Sequence, residues 1–257
     1  MKLTEIYSSM DHILLLDDYS DPKLHKHFAK HLIISLKDEI SCTIEEKSIS
    51  CNGILINSNI IHTIDSKNQQ VLVFLFDETS DIAKELREQY FMHRQFSVLS
   101  KENVRKIVKI WSQFIEVKKE NITRAYKNAF KEIMEVCNVK VKVVLNKDDR
   151  IKSVIEYLNC IDTISEGTLD ELAKHVFLSK SRLSHLFKEQ VRISLNQFLI
   201  IEKMRKTYEY LDKGYSITDA AIKAGFNSSS HFANTNKAML GLTANEVKND
   251  IRYVVIE

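Results

Sequence analysis

The segment from Thr168 to Lys248 contains one short pattern twice, and this repeat constrains the fold more than any other feature of the chain. Each copy begins with a hydroxyl residue that is followed three places later by an acid, Thr168 by Glu171 and Ser216 by Asp219. This spacing predicts a capping box, in which the hydroxyl caps the first turn of a helix and the acid reaches back to it. Each copy is therefore expected to open with a helix.

Both predicted helices continue with apolar residues at helical spacing, and after a short turn a second helix follows each of them. The apolar positions of the first helices are Leu169, Leu172, Ala173 and Val176 in one copy and Ile217, Ala220, Ala221 and Ala224 in the other. The second helices carry Leu183, Leu186 and Phe187, and Phe232 in the repeat. The pattern predicts two helix-turn-helix motifs, whose second helices have the geometry to enter a DNA major groove.

The order and spacing of further residues add a family resemblance over roughly the last hundred residues. The positions that carry it are Ala173, Ser179, Leu183, Phe187 and Lys188, and then Ile217, Ala221, Gly225, Phe226, Phe232, Lys237, Gly241 and Thr243. This segment resembles the DNA-binding domain of the AraC/XylS transcription regulators, which carry two such motifs joined by a long helix. The resemblance implies the same arrangement here.

The sequence departs from that family pattern at four positions. Arg192 stands in place of a glycine, Thr207 in place of an alanine, and Ala244 in place of a proline. Asn236 occupies the position that matches Phe187, which is expected to be buried. A buried amide needs a hydrogen-bond partner, because without one it lowers stability.

The outward faces of the second helices, together with Arg205 of the segment between the two motifs, supply the candidate DNA contacts. By resemblance, the base-reading positions are Ser181, Ser184 and His185 in the first motif and Ser229, Ser230 and Asn234 in the second. Asparagine binds adenine with two hydrogen bonds, and serine is a permissive donor and acceptor. The candidates for phosphate contacts are Lys180, Arg182, Lys188, Arg205 and Lys237. For each serine, a helix cap or a solvated side chain is the alternative interpretation.

A long helix is predicted between the two motifs. Its apolar positions are Leu195, Phe198, Leu199, Met204, Tyr208 and Leu211, and Gly214 is expected to end it. If this helix is rigid, the two recognition helices should lie about 34 Å apart, which is one turn of DNA.

The first 78 or so residues predict short strands separated by polar turns. The runs are His12–Leu16, Leu32–Leu36, Ser41–Glu45, Ile54–Asn57 and Val71–Phe76. Strands at this spacing favour an antiparallel barrel or sandwich. The resemblance implies a cupin-like sensor barrel at this place, so the fold class is α+β, with a front barrel and an all-helical end.

The histidines of the front segment are candidate pocket residues. His25 and His27 are two apart and would share one face of a strand, and His31 and His62 are placed to join them. A cupin metal site would also need a carboxylate shortly after this pair, where Lys30 and His31 stand instead. The histidines are therefore interpreted as lining a ligand pocket or lying at the surface, and no metal or other cofactor is expected.

Between residues 78 and 139 the pattern becomes helical. The longest stripe runs through Val104, Ile107, Val108, Trp111, Phe114 and Ile115. Such stripes most often pack on their own domain, and a subunit interface is the second interpretation. The predicted organisation is a sensor-like domain at residues 1–95, a helical dimerisation and linker region at 96–148, and the DNA-binding domain at 149–257.

Composition narrows the function classes further. The net charge is only +2, so DNA binding would depend on where the cations lie rather than on total charge. The four cysteines show no CxxC spacing and are expected to be reduced thiols in the cytoplasm. No apolar run is long enough for a membrane span, and no signal-peptide core is present.

These patterns together predict a cytoplasmic, non-enzymatic, sequence-specific DNA-binding regulator, and the family resemblance implies activation rather than repression. Its expected partners are double-stranded promoter DNA, RNA polymerase, a second copy of the chain and a small-molecule effector. Two alternatives remain open. One is a cupin-type metalloenzyme with metal on His25, His27 and His62. The other is an interaction protein that dimerises with a true regulator and does not bind DNA itself.

Overall fold

The computed structural model describes residues 4–9, 12–18, 24, 26, 29–77, 80–117, 121–140, 148–191, 193–240 and 251–256. The chain divides into two compact units. The first consists of residues 1–141, 238–241 and 249–257, and the second of residues 142–237 and 242–248. The predicted α+β class is confirmed, with the sheets in the first unit and helices in the described part of the helix-turn-helix region.

The N-terminal unit is built on two sheets. Their strands are β1 (Thr4–Ser8), β2 (His12–Asp17), β3 (Lys30–Ser35), β4 (Ile40–Ile44), β5 (Lys47–Cys51), β6 (Gly53–Ile56), β7 (His62–Asp65), β8 (Val71–Phe76), β9 (Phe96–Val98) and β10 (Ile251–Val255). Among the described residues, one sheet has the order β10-β1-β2-β8-β3-β6-β9 and the other β5-β4-β7. The five predicted strands are present, each within two residues of its expected bounds.

The central strands of the larger sheet are covered on both faces. All six residues of β3 are buried. Leu32 and Ile34 belong to the apolar cluster that the sheet shares with the helices of this unit. His31 points to the other face, where its ring centroid lies 4.9 Å from that of His62 in β7. Two covered faces explain why this strand reads as a continuous apolar run without alternation.

Three helices cover the sheet on the first of these faces. They are α1 (Asp81–Leu86), which continues into a π-helical turn at Arg87–Phe91, then α2 (Lys101–Val117) and α3 (Ile122–Val136). Val104, Ile107, Trp111 and Phe114 are buried in the shared cluster. The prediction that the α2 stripe packs on its own domain is therefore correct for these four residues. Of the other two residues of the stripe, Val108 is half-buried and Ile115 is exposed.

A polar contact joins the sheet to α3 inside this apolar cluster. The imidazole of His12 lies with Nε2 at 2.8 Å from the hydroxyl of Tyr126, and its ring stacks on Phe130 at 3.7 Å between centroids. Tyr126 also stacks on Tyr7 of β1 at 5.2 Å. The aromatic stack therefore ties β1 and β2 to one helix.

The last strand of the chain completes the edge of the larger sheet. β10 pairs in parallel with β1, from Thr4 with Ile251 to Ser8 with Val255. The side chains of Val254 and Ile256 belong to the buried cluster, and Arg252 lies 3.5 Å from Glu5 as an ion pair. No local sequence pattern predicts this strand, because its pairing partner is about 245 residues away in the chain.

The second unit consists of helices. They are α4 (Asp149–Cys160), α5 (Thr168–His175), α6 (Lys180–Val191), α7 (Leu195–Asp212), α8 (Ile217–Ala224) and α9 (Ser229–Leu240), whose last residues fall to the first unit. Helices α5 and α6 form the first predicted motif, α8 and α9 the second, and α7 is the predicted long helix between them. None of the helices within the described ranges is both long enough and apolar enough to cross a membrane.

The two predicted capping boxes have different outcomes. Ser216 caps α8, since its Oγ accepts a hydrogen bond from the Asp219 amide at 3.1 Å and donates to the Asp219 carboxylate at 2.6 Å. Thr168 does not cap α5, and that expectation was wrong. The cap position is Gly167, and the Thr168 hydroxyl instead accepts from the Ser165 amide at 2.9 Å. Gly214 lies just beyond the end of α7 with φ +87°, as the predicted stop requires.

Asn236 is completely buried, and it has the partner that its position demands. The hydroxyl of Tyr208 in α7 donates a hydrogen bond to Oδ1 of Asn236 in α9. Tyr208 also contacts Phe232, with ring centroids 6.2 Å apart. The polar departure from the family pattern is thus accommodated by a side chain of the long helix.

Both first helices end at a residue with left-handed backbone, and the two residues differ in kind. Gly225 has φ +105° after α8, and Phe177 has φ +54° after α5. The following amides bond back alike, Leu178 to the Ala173 carbonyl and Phe226 to the Ala221 carbonyl, both at 2.9 Å. This geometry favours glycine, yet Phe177 holds it with 94% of its surface exposed.

Exchanging the residue type at these two matched positions should change stability in opposite directions. Phe177→Gly should raise the free energy of unfolding of the helical unit by up to about 1 kcal/mol, because it removes backbone strain and no packing. Gly225→Ala should lower it by more than about 2 kcal/mol. The added Cβ would stand 2.0 Å from the carbonyl oxygen of Ile164. Urea unfolding of the two variants measures both changes in the free energy of unfolding. Changes of the same sign would contradict the role given to the left-handed backbone.

Removing the Tyr208 hydroxyl should loosen α9. Tyr208→Phe deprives the buried Asn236 amide of a hydrogen bond, so the opening free energy of α9 amides should fall by about 1–3 kcal/mol. Hydrogen exchange resolved by segment measures this, with α6 as internal reference. Tyr215→Phe is the matched control, because Tyr215 is 44% exposed. Equal exchange in both variants would show that the hydrogen bond contributes nothing.

Candidate nucleic-acid interface

Helix α6 has one buried face and one polar face. Leu183, Leu186 and Phe187 are buried, and α6 packs against α4, α5 and α7 through this side. Ser181, Arg182, His185 and Lys188 are exposed, and Ser184 is half-buried. Ser181 and His185, which were predicted to read bases, therefore lie on the solvent side of α6, where they are accessible to a DNA groove.

The cations of α6 differ in their surroundings. Lys180 forms an exposed ion pair with Asp170 of α5, with Nζ 2.8 Å from the carboxylate. Hydrogen bonds from Arg150, with a smaller contribution from the nearby Arg182 guanidinium, hold the pKa of the Asp148 carboxyl at about 2. Lys188 is exposed and makes no ion pair within the described part of the chain. Exposed ion pairs are weak, so a phosphate group can replace the Asp170 carboxylate at Lys180.

Helix α9 presents a similar but less basic surface. Ser230, Asn234 and Lys237 are exposed and Ser229 is half-buried, whereas Phe232 and Asn236 are completely buried. Among the described residues of α9, Lys237 is the single lysine or arginine. The second motif therefore offers amide and hydroxyl groups for base edges and little charge for phosphates.

Two serines outside the predicted set cap these helices. Ser179 Oγ accepts from the Arg182 amide at 3.2 Å, and Ser228 Oγ accepts from the His231 amide at 3.0 Å. The capping alternative therefore does not apply to Ser181, Ser229 and Ser230, which come after the caps. A hydroxyl residue directly before each second helix was the signal that identifies these caps.

Arg205 does not fit its predicted role as a phosphate contact. It lies in α7, is only 8% exposed, and donates from Nε to Glu202 at 2.8 Å and from a terminal nitrogen to Glu209. A guanidinium held by two carboxylates inside the helical unit is not available to a DNA backbone. Arg205 is therefore a structural residue of the long helix, and the earlier expectation is corrected.

Of the four candidate pocket histidines, His31 and His62 are described and lie in the N-terminal unit. His31 and His62 are 2% and 1% exposed, and their rings meet between β3 and β7. Nδ1 of His62 lies 2.8 Å from the carbonyl oxygen of Ile60. His25 and His27 lie outside the described residues. Within the described ranges, no three His, Cys, Asp or Glu side chains form a group that could hold a metal ion.

Comparison with known proteins places the helix-turn-helix region in a family. Residues 172–250 match the family model described as a helix-turn-helix domain. An uncharacterized HTH-type transcriptional regulator of Staphylococcus aureus strain COL is 32% identical over 110 residues, which cover 42% of this chain and 14% of that protein. The HTH-type transcriptional regulator ArgR of Pseudomonas aeruginosa is 29% identical over 86 residues, covering 33% of this chain and 26% of that one.

A solved structure is similar over a longer range at low identity. The apo form of a ToxT variant from Vibrio cholerae is 11% identical, with a TM-score of 0.48, and the match covers 92% of this chain and 96% of that one. The match to the two regulators is confined to a small part of their length, 14% and 26%. The helix-turn-helix family model falls on the segment whose spacing indicated the resemblance. The chain therefore contains a helix-turn-helix domain, and its sequence there is similar to HTH-type transcriptional regulators, in line with the resemblance to the AraC/XylS DNA-binding domain.

Proposed function

We propose that this protein is a sequence-specific DNA-binding transcription regulator that inserts α6 and α9 into adjacent major grooves of promoter DNA. One observation carries the proposal. In both motifs the second helix buries its apolar side and exposes polar side chains that match base edges and phosphates, Ser181, Arg182, His185 and Lys188 in α6 and Ser230, Asn234 and Lys237 in α9. Catalysis forms no part of this proposal.

The two motifs divide the work of binding. Helix α6 carries three cations on its outward side, Lys180, Arg182 and Lys188, so it supplies most of the phosphate contacts that position the protein. Helix α9 has one cation and an exposed asparagine, so its contribution is base readout through Asn234. Serine is permissive, which leaves part of the specificity to DNA shape.

The rest of the chain sets when this domain acts. We assign residues 1–95 to a sensor domain for a small-molecule effector and residues 96–148 to a helical dimerisation and linker region. Residues 149–257 are assigned to DNA binding, except the strand β10, which belongs to the N-terminal unit. Two chains form a homodimer, which contacts RNA polymerase at the promoter and activates transcription. The site of action is the cytoplasm, because promoter DNA is the partner.

Lys188→Gln should weaken binding equally on all sequences and lower the salt slope. A lost phosphate contact releases one counterion fewer, so the slope of log K against log salt should fall by about one unit. Titration of the upstream DNA and a scrambled DNA across a salt series measures this. Lys152→Gln is the matched control, since Lys152 lies on α4 and pairs with Asp149 at 2.7 Å. An unchanged slope for Lys188→Gln would remove Lys188 from the interface.

Asn234→Ala should lose discrimination at one operator position only. A lost bidentate contact to adenine costs about 1–3 kcal/mol at its own base pair and little elsewhere. Binding to a set of operators with single base-pair changes gives the pattern directly. Ser230→Ala should produce a smaller loss at a neighbouring position. Uniform weakening across the whole set would show that Asn234 does not read a base.

A further inference from the structure

A cleft of about 440 Å³ in the N-terminal unit carries an unusual concentration of positive charge. It lies between the end of β3, the turn that leads into β6, and the first part of α2. Four basic side chains line it, Lys37 on the sheet side and Lys101, Arg105 and Lys109 on the helix. The volume is within the range of small-molecule sites, roughly 300–1,000 Å³.

The three helical cations repeat every fourth residue, so they form one row along α2. Like charges at this spacing repel each other, at about 0.2–0.5 kcal/mol for each pair. Lys106, one place beside the row, has the usual arrangement and pairs with Glu102 at 2.7 Å. Repulsion within the row therefore lowers the stability of α2 when the cleft is empty. An anion bound in the cleft would reverse that effect.

The carboxylates nearby neutralise only a small part of this charge. Lys101 lies 3.3 Å from Glu39, whose other oxygen accepts a hydrogen bond from Ser50 at 2.9 Å. Lys37, Arg105 and Lys109 make no ion pair within the part of the chain that the structure describes. Three cations that form no ion pair with a described residue thus line one cavity.

The remaining walls define what kind of anion fits. Leu36, Val104 and Val108 provide an apolar surface, and the half-buried Asn52 adds an amide. An arginine fork with several lysines matches the three oxygens and double charge of a phosphate better than the single charge of a carboxylate. The apolar wall adds affinity for a ligand that carries a carbon skeleton.

We propose that this cleft binds a small organic phosphate, with Arg105, Lys109 and Lys37 on the phosphate and Val104 and Val108 against the organic part. The site lies wholly within the N-terminal unit and uses none of the residues assigned to DNA. The proposal goes beyond the DNA-binding function and does not depend on it.

Isothermal titration of the full chain with phenyl phosphate, inorganic phosphate and benzyl alcohol tests the proposal at low salt. Phenyl phosphate should bind saturably with one site for each chain, inorganic phosphate more weakly, and benzyl alcohol not at all. Arg105→Gln and Lys109→Gln should each weaken phenyl phosphate binding by roughly tenfold or more, because each removes a charged hydrogen bond. Added salt should weaken it further.

Lys106→Gln is the matched control, since it removes the same charge from the same helix outside the cleft. Its affinity for phenyl phosphate should stay within about twofold of the wild type, because an exposed charge outside the site is screened. Equal losses of phenyl phosphate affinity in Lys106→Gln and Arg105→Gln would show that only the total charge of the helix matters. That result would overturn the proposed site. So would an absence of saturable binding. A loss of DNA affinity in Arg105→Gln and Lys109→Gln with phosphate binding unchanged would assign the row to DNA instead.

Discussion

The double motif depends on one constraint: the second helix of each motif must bury one side and leave the other free. In α6 this is achieved by Leu183, Leu186 and Phe187, which are at most 4% exposed. Among the described side chains of α9, only Phe232 and Asn236 are completely buried. If either helix turned about its axis, its serines and cations would leave the solvent side, and the proposed DNA surface would be lost.

The long helix α7 makes this arrangement possible for both motifs. It is buried around most of its circumference, including the charged residues Glu202, Arg205 and Lys206. Lys206 donates to the Ile161 carbonyl, and Lys203 donates to the Gly225 carbonyl at 2.9 Å. Burial raises the pKa of the Glu202 carboxyl, and the Arg205 guanidinium partly offsets that rise. Charged side chains of α7 thus act as tethers inside the helical unit.

The periodicity of apolar residues predicted elements correctly where their contacts are local. Elements and side chains whose contacts lie far apart in the chain were missed or wrongly predicted. The strand at Val71–Phe76 and the helix stop at Gly214 followed from neighbouring residues alone. The parallel strand β10 depends on a partner near the start of the chain, which no local pattern reveals. Arg205 was predicted to contact phosphate, whereas its burial and its two carboxylate partners are set by tertiary packing, which no local pattern shows.

The same limit applies to the candidate site. Exposure of Ser181, His185, Ser230 and Asn234 followed from helical spacing once the buried side was known. The Tyr208 partner of Asn236 was required by the physics of a buried amide, but its identity became visible only when α7 and α9 were in place. The cationic cleft was not anticipated, because Lys37 joins the α2 row only through the packing of β3 on α2.

Hydroxyl-radical footprinting of the protein on its own upstream DNA tests the central claim most directly. Two recognition helices in adjacent major grooves predict two protected segments on one face of the duplex, separated by one turn, about 10 base pairs. Arg182→Gln should weaken one segment and Asn234→Ala the other. A single protected segment, or protection spread evenly over unrelated DNA, would contradict the claim that both motifs bind DNA as a pair.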